Sequence, residues 1–116
     1  MEVTRITEET IELSGQAAEF SALARAIKKS KFKARSSVSL TGGNYQAIEL
    51  VCSNNKTNIS SVGGLIIEFT EATKNSLYGL ISMPADTAKG TQFSLMRSEH
   101  PELFSQSSMG IVLNVN

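Results

Sequence analysis

The stretch from Glu9 to Ser30, ETIELSGQAAEFSALARAIKKS, changes its hydrophobic period halfway along. Ile11 and Leu13 alternate with polar neighbours, as in a half-buried strand, and Phe20, Leu23, Ala24 and Ile27 then recur at helical spacing. Ser14-Gly15 separates the two periods, and a serine there can accept bonds from the exposed amides of a first helical turn. Lys28 and Lys29 fall in the last turn, where the negative end of the helix dipole favours cations. A strand therefore runs directly into a helix over residues 16–30. Upstream, Val3 to Ile6 can pair with residues 10–14 as a short hairpin through Thr7, Glu8 and Glu9.

The same order returns later in the chain. Leu65-Ile66-Ile67-Glu68-Phe69 reads as a strand whose continuous apolar character suits a central position. Thr70 can cap a second helix, and in TEATKNSLYGLISMP the residues Thr73, Leu77, Leu80 and Ile81 make a helical stripe over residues 71–83. Gly79 and the Asn/Ser content weaken that helix, so a buried strand over LYGLISM is the alternative. Pro84 biases Met83 away from helical geometry and ends the element.

Between these units the period is two. Phe32, Ala34, Val38 and Leu40 alternate with Lys31, Lys33 and Arg35, which predicts a strand with an apolar and a basic face. Thr41-Gly42-Gly43-Asn44 is a turn signal, after which Ile48, Leu50 and Cys52 alternate again, so a hairpin with Val38 opposite Ile48 is expected. SNNKTNISSVGG, residues 53–64, has no period and reads as an exposed loop. Phe93 with Leu95, and Ile111 with Leu113 and Val115, supply two closing strands.

Set side by side, IELSGQAAEFSAL and IEFTEATKNSLYGL each show a strand, a Ser or Thr and a helix, each followed by strands. This predicts a single α+β domain of two strand–helix–strand–strand halves. The expected architecture is one largely antiparallel sheet of about six strands with both helices on one face.

The chain has 116 residues, 41% hydrophobic and 19% charged, enough for one core that removes roughly two-thirds of the unfolded surface from water. It has one histidine, one cysteine and one aspartate, His100, Cys52 and Asp86, and no two are close in sequence. General acid–base catalysis, metal ligation and nucleophilic chemistry draw on these types at defined spacings, so the reading is of a binding protein, not an enzyme, with no cofactor and no metal. Cys52 has no partner for a disulfide within the chain, which suits a reducing, cytoplasmic setting. No stretch reaches the roughly 18 apolar residues of a membrane span, and MEVTRITEE has no signal core. Asn55-Lys56-Thr57 and Asn58-Ile59-Ser60 match the glycosylation pattern, which has no meaning without secretion.

The formal net charge is zero, so any electrostatic recognition must be local. Six of the eleven basic residues, Arg25, Lys28, Lys29, Lys31, Lys33 and Arg35, fall at one helix-to-strand corner. Of these, Arg25, Lys28, Lys31, Lys33 and Arg35 are the candidate partner-binding residues, against the alternative of a solvated face. The absence of Trp and the scarcity of other aromatics make nucleic acid the weaker partner. Glu8, Glu9 and Glu12 could lie beside Glu68 and Glu71 if the strand–helix junctions are neighbours, as helix-start and surface charge rather than a catalytic pair. Gly42-Gly43 and Gly63-Gly64 lack the lysine of a phosphate loop and read as turns. Glu99-His100-Pro101-Glu102 reads as a surface turn, and Cys52 as a small core residue.

IELSGQAAEFSALARAI, the second strand and helix from Leu65 to Ile81, and the tail FSLMRSEHPELFSQSSMGIVLNV together resemble the bacterial immunity-protein family numbered thirty-two. Within the tail, His100-Pro101, Leu103, Ser107 or Ser108, and Ile111-Val112-Leu113 are similar to that family's histidine-containing turn, serine and apolar last strand. Residues 30–64 match only in general character, and Gln92-Phe93-Ser94 depart from the histidines or tyrosine often found in the penultimate strand. The resemblance implies a non-enzymatic antitoxin that binds and blocks a co-encoded toxin domain. It carries no contact residues over to this chain. A nucleic-acid or regulatory module using the basic corner, and a homo-oligomer pairing through an edge such as the final strand, are the alternatives.

Overall fold

The computed structural model describes residues 1–61 and 63–116. A hairpin of β1 (Glu2–Thr7) and β2 (Thr10–Gly15) leads into α1 (Ala17–Lys29), and β3 (Arg35–Ser39), β4 (Gly42–Gly43) and β5 (Ala47–Cys52) come next. A second hairpin of β6 (Asn58–Ser60) and β7 (Leu65–Phe69) leads into α2 (Lys74–Ile81), then β8 (Gln92–Leu95) and β9 (Gly110–Val115). The chain is thus an α+β domain built from two halves of the same order, apart from the two-residue β4 in the first.

The strands form two mixed sheets, not the one sheet expected from the pattern. One runs β4-β1-β2-β9-β8 and the other β3-β5-β7-β6. Each helix crosses from one sheet to the other, so each half sends its closing strands into the sheet begun by the other half. As a result β2 pairs parallel with β9, and β5 parallel with β7, while the outer hairpins stay antiparallel. The crossover puts the final strand β9 inside its sheet, between β2 and β8, so it is not an edge available for pairing with a second copy.

One core joins both sheets to both helices. Ile11 and Leu13 of β2, Ile48 and Leu50 of β5, Leu65, Ile67 and Phe69 of β7 and Ile111 and Leu113 of β9 are all buried, on the strand faces that the period of two selects. The apolar stripe of α1, Phe20, Leu23, Ala24 and Ile27, closes on the same core, joined by Leu77 and Ile81 of α2. Residues 74–81 are helical, and the register Val38 opposite Ile48 is as expected.

The start of α1 is capped differently from the expectation, whereas Thr70 does cap the turn that leads into α2. The Ser14 hydroxyl donates to Glu12, and Gln16 takes the cap position, its backbone amide bonded at 3.0 Å to the Glu19 carboxylate. At α2 the hydroxyl of Thr73 accepts the Thr70 amide at 2.9 Å, and the Thr70 hydroxyl accepts the Thr73 amide at 3.1 Å.

Residues 53–64 are more structured than their composition suggests. Asn58–Ser60 form β6, and Thr57 and Ile59 are buried; the part of that segment at Val62 lies outside the described residues. The outer edge of β6 is covered by the link between β8 and β9. Thr57 bridges Phe104, the Ser105 and Met109 amides donate to the Thr57 and Ile59 carbonyls, and the Ile59 amide donates to the Ser108 hydroxyl at 2.9 Å. In the first half β4 covers β1 in the same way, pairing parallel with it. That leaves β3 and β8 as the outer strands to which, among the described residues, no further backbone is bonded.

Candidate functional site

The basic corner is the turn from α1 into β3. The strand begins at Arg35, not at Phe32: Lys33 adopts a left-handed backbone (φ 65°), which breaks the period of two. Phe32 is in consequence 43% exposed, not buried on the apolar face, and Ala34 is exposed too.

The corner is tied down from beneath. The Lys33 amide donates to the Cys52 carbonyl at 2.9 Å, and the Ala34 amide to Lys31 at 2.9 Å. From α2, the Lys74 ammonium donates to the Ser30 carbonyl at 3.2 Å and pairs with Glu71 at 2.6 Å. The bond from Lys74 holds the Glu71 carboxyl below its usual range, with the Cys52 thiol and the Phe32 amide adding to the effect against some desolvation. Burial, and then the Glu71 charge 3.7 Å away, push the Cys52 thiol up, so it is a protonated core group and a poor nucleophile.

Above this anchor lies a shallow groove of about 340 Å³ between α1 and β3. Ala26 and Ala34 form its apolar floor, and Lys29, Lys31 and Arg35 stand along it. Arg35 pairs with Glu49 at 3.0 Å, both side chains well exposed, whereas Lys29, Lys31 and Lys33 make no ion pair among the described residues.

The five candidate residues are therefore divided. Lys31 and Arg35 line the groove; Lys33 is not among its lining residues, and its ammonium lies 5.6 Å from the Phe32 ring. Lys28 turns toward α2, where its ammonium sits 4.5 Å over the Tyr78 ring, a cation–π contact between the helices. Arg25 is exposed on α1 outside the groove lining. Lys29 is not among the five, although Ala26 and Lys29 share a helix face by their spacing of three. Lys74 carries no signal in the sequence, because its role depends on α2 packing beside α1.

A second depression of about 480 Å³ lies between α2 and the turn around His100, lined by Thr73, Ser76, Gly79, Leu80, His100, Glu102 and Leu103. His100 Nδ1 lies 3.8 Å from Glu102. Among the described residues no group of three or more His, Cys, Asp or Glu side chains could hold a metal. The acidic residues are distributed rather than paired: Glu12 lies on β2 in one sheet and Glu68 on β7 in the other, bonded to Ser14 and to Ser53 and Asn55 respectively. No helix among the described residues is long and apolar enough to cross a membrane.

Compared with known proteins, the chain matches no family model, no curated protein and no solved structure.

Proposed function

We propose that this chain is a non-catalytic immunity-type protein, an antitoxin that binds a cognate toxin domain and occludes its active site or substrate surface. The observation that carries this reading is the anchored basic groove: three cations, with an exposed aromatic ring at the neighbouring Phe32, on a hydrogen-bonded corner beside an outer strand. A hydrogen-bonded backbone carrying Lys29 and Lys31 without intramolecular ion pairs among the described residues, and Arg35 in an exposed pair with Glu49, costs little to order on binding and favours an acidic protein surface. The likeness of the strand–helix units and of the His100 turn to the immunity-protein family points the same way. A stable complex typically covers about 800 Å² per partner, about an eighth of the 6292 Å² surface here.

The test is capture followed by rescue. Tagged protein is used on a nuclease-treated native lysate, and the captured domain is then expressed with and without this chain. The expected outcome is a domain that arrests growth alone and is neutralised on co-expression. Combined Lys31→Glu, Lys33→Glu and Arg35→Glu substitutions should abolish rescue without unfolding the protein. Recovery of nucleic acid only, or full rescue by the charge-reversed variant, defeats the assignment.

A second reading has one observation in its favour. Phe93, on the outermost strand β8, is 41% exposed, as an edge used for self-association would be. Sedimentation at a mass well above 12.5 kDa, lost in Phe93→Ser, would support that reading instead.

A further inference from the structure

We infer that β3 takes up an extended acidic segment of the protein partner as an added strand, with the segment's side chains reaching into the α1–β3 groove. This rests on the basic-corner reading above and specifies how the partner is held.

The backbone supplies the first part. The Leu40 amide donates to Gln46, so the alternation of an antiparallel ladder turns the backbone groups of Ser36 and Val38 toward β5. Arg35, Ser37 and Ser39 then turn theirs outward, where no strand among the described residues lies beside them. A row of outward N–H and C=O groups is satisfied by another strand, which both donates and accepts. A DNA backbone offers acceptors alone, and the 2′-hydroxyls of RNA do not repeat at the strand spacing, so a nucleic-acid backbone would leave carbonyls unpaired.

The charges supply the second part and choose the occupant. A second copy paired on β3 would bring a second basic corner, with its Arg35 on the strand and Lys31 and Lys33 just before it, to the same sheet edge, and like charges brought together are destabilising. The same charges favour a strand rich in Asp or Glu. The edges of β1 and β6 are already covered by β4 and by residues 104–109. At β8 the outermost residues Gln92, Phe93 and Ser94 carry no charge. Among the described residues, an uncovered strand edge and a groove lined by cations therefore coincide at β3.

The test uses amide NMR on the whole chain, with a short blocked peptide alternating Glu with Val and Thr as the probe. Saturable shifts and slowed hydrogen exchange are expected at Arg35, Ser37 and Ser39. Ser37→Pro removes an outward amide at a position where an edge strand tolerates proline, and should weaken binding about tenfold. Lys29→Glu with Lys31→Glu, which leaves the backbone untouched, should weaken it similarly and serves if the proline variant misfolds. The inference is overturned if no shifts occur at millimolar peptide. It is equally overturned if they fall on β8 or the helices, if a Lys-for-Glu peptide or a single-stranded oligonucleotide produces the same pattern, or if both variants bind as before. Partner capture separates the two levels. Capture kept by Ser37→Pro but lost on charge reversal removes the strand addition and leaves the basic corner; capture kept by both variants removes the two together.

Discussion

The two halves of the molecule have the same order of elements but for β4, and differ in how each protects its first strand. In the first half the cover is the short link between β3 and β5, where two glycines of β4 run beside β1. In the second it is the longer link between β8 and β9, which lays Phe104 and Met109 into the core and bonds its backbone to β6. One cover works by close backbone approach, the other by side-chain burial. The halves should therefore fail to different substitutions.

The second cover should give the largest effect. Phe104 is 3% exposed, and Phe104→Ala should cost about 3–5 kcal/mol by lost burial plus a residual cavity, read by denaturant unfolding. In the first cover Gly43 has φ 89°, and a Cβ there would collide with the Val3 carbonyl. Gly43→Ala should cost at least about 2 kcal/mol, and Gly43→Asn, whose side chain tolerates that backbone better, should recover none of the clash. Equal losses for Gly43→Ala and Gly42→Ala would contradict this account, because a Cβ on Gly42 meets only the flexible end of Glu2. Ser108→Ala leaves the Ile59 amide without its acceptor in the interior, and about 1–2 kcal/mol should be lost.

The halves also contrast in how acid reaches them. The Glu19 carboxyl is held below its ordinary value, first by the bond from the Gln16 amide and then by the bond from the Met1 ammonium. Glu71 is held low chiefly by Lys74. A depressed pKa in the folded state means that each carboxylate contributes stability above the ordinary value of 4.5, and that this is lost as pH falls through the folded value. Below about pH 4.5 the start of α1 and the corner at residues 30–34 should therefore loosen separately. Hydrogen exchange would show it: Glu19→Gln should remove the acid dependence near residues 16–20 alone, and Glu71→Gln that of the corner alone.

The first half is the more legible in sequence. Its helix is amphipathic over thirteen residues with basic residues in the last turn, so period and dipole agree with the final structure. In the second half β6 is hidden: three residues are too few to show a period, and Thr57 is buried because the 104–109 link covers it, a contact made across 47 positions of chain. The division into two sheets is equally out of reach, since nothing local says which sheet a helix will cross into. At the corner the run of cations is visible, but their sorting is not. Lys33 breaks its strand through a left-handed backbone, and Lys28 leaves the patch for Tyr78 on the other helix. Both are tertiary effects on residues whose local pattern points elsewhere.

The smallest expected effect bears most directly on function. Reversing Lys31, Lys33 and Arg35 together removes one intramolecular ion pair, Arg35 with Glu49, whose side chains are 66% and 47% exposed. Such a pair is worth roughly 0–1 kcal/mol, so the melting temperature should hardly move. Lys74→Ala touches the same corner from below. It leaves the Ser30 carbonyl and the Glu71 carboxylate without their cation and should cost more, although it removes only one charge. Thermal unfolding of both variants separates the corner's support from its surface. Equal losses would mean that the surface cations stabilise the fold and are not held in reserve for a partner. A silent charge reversal beside a costly Lys74→Ala would show that folding does not depend on Lys31, Lys33 or the exposed Arg35–Glu49 pair, which leaves these cations available to meet one.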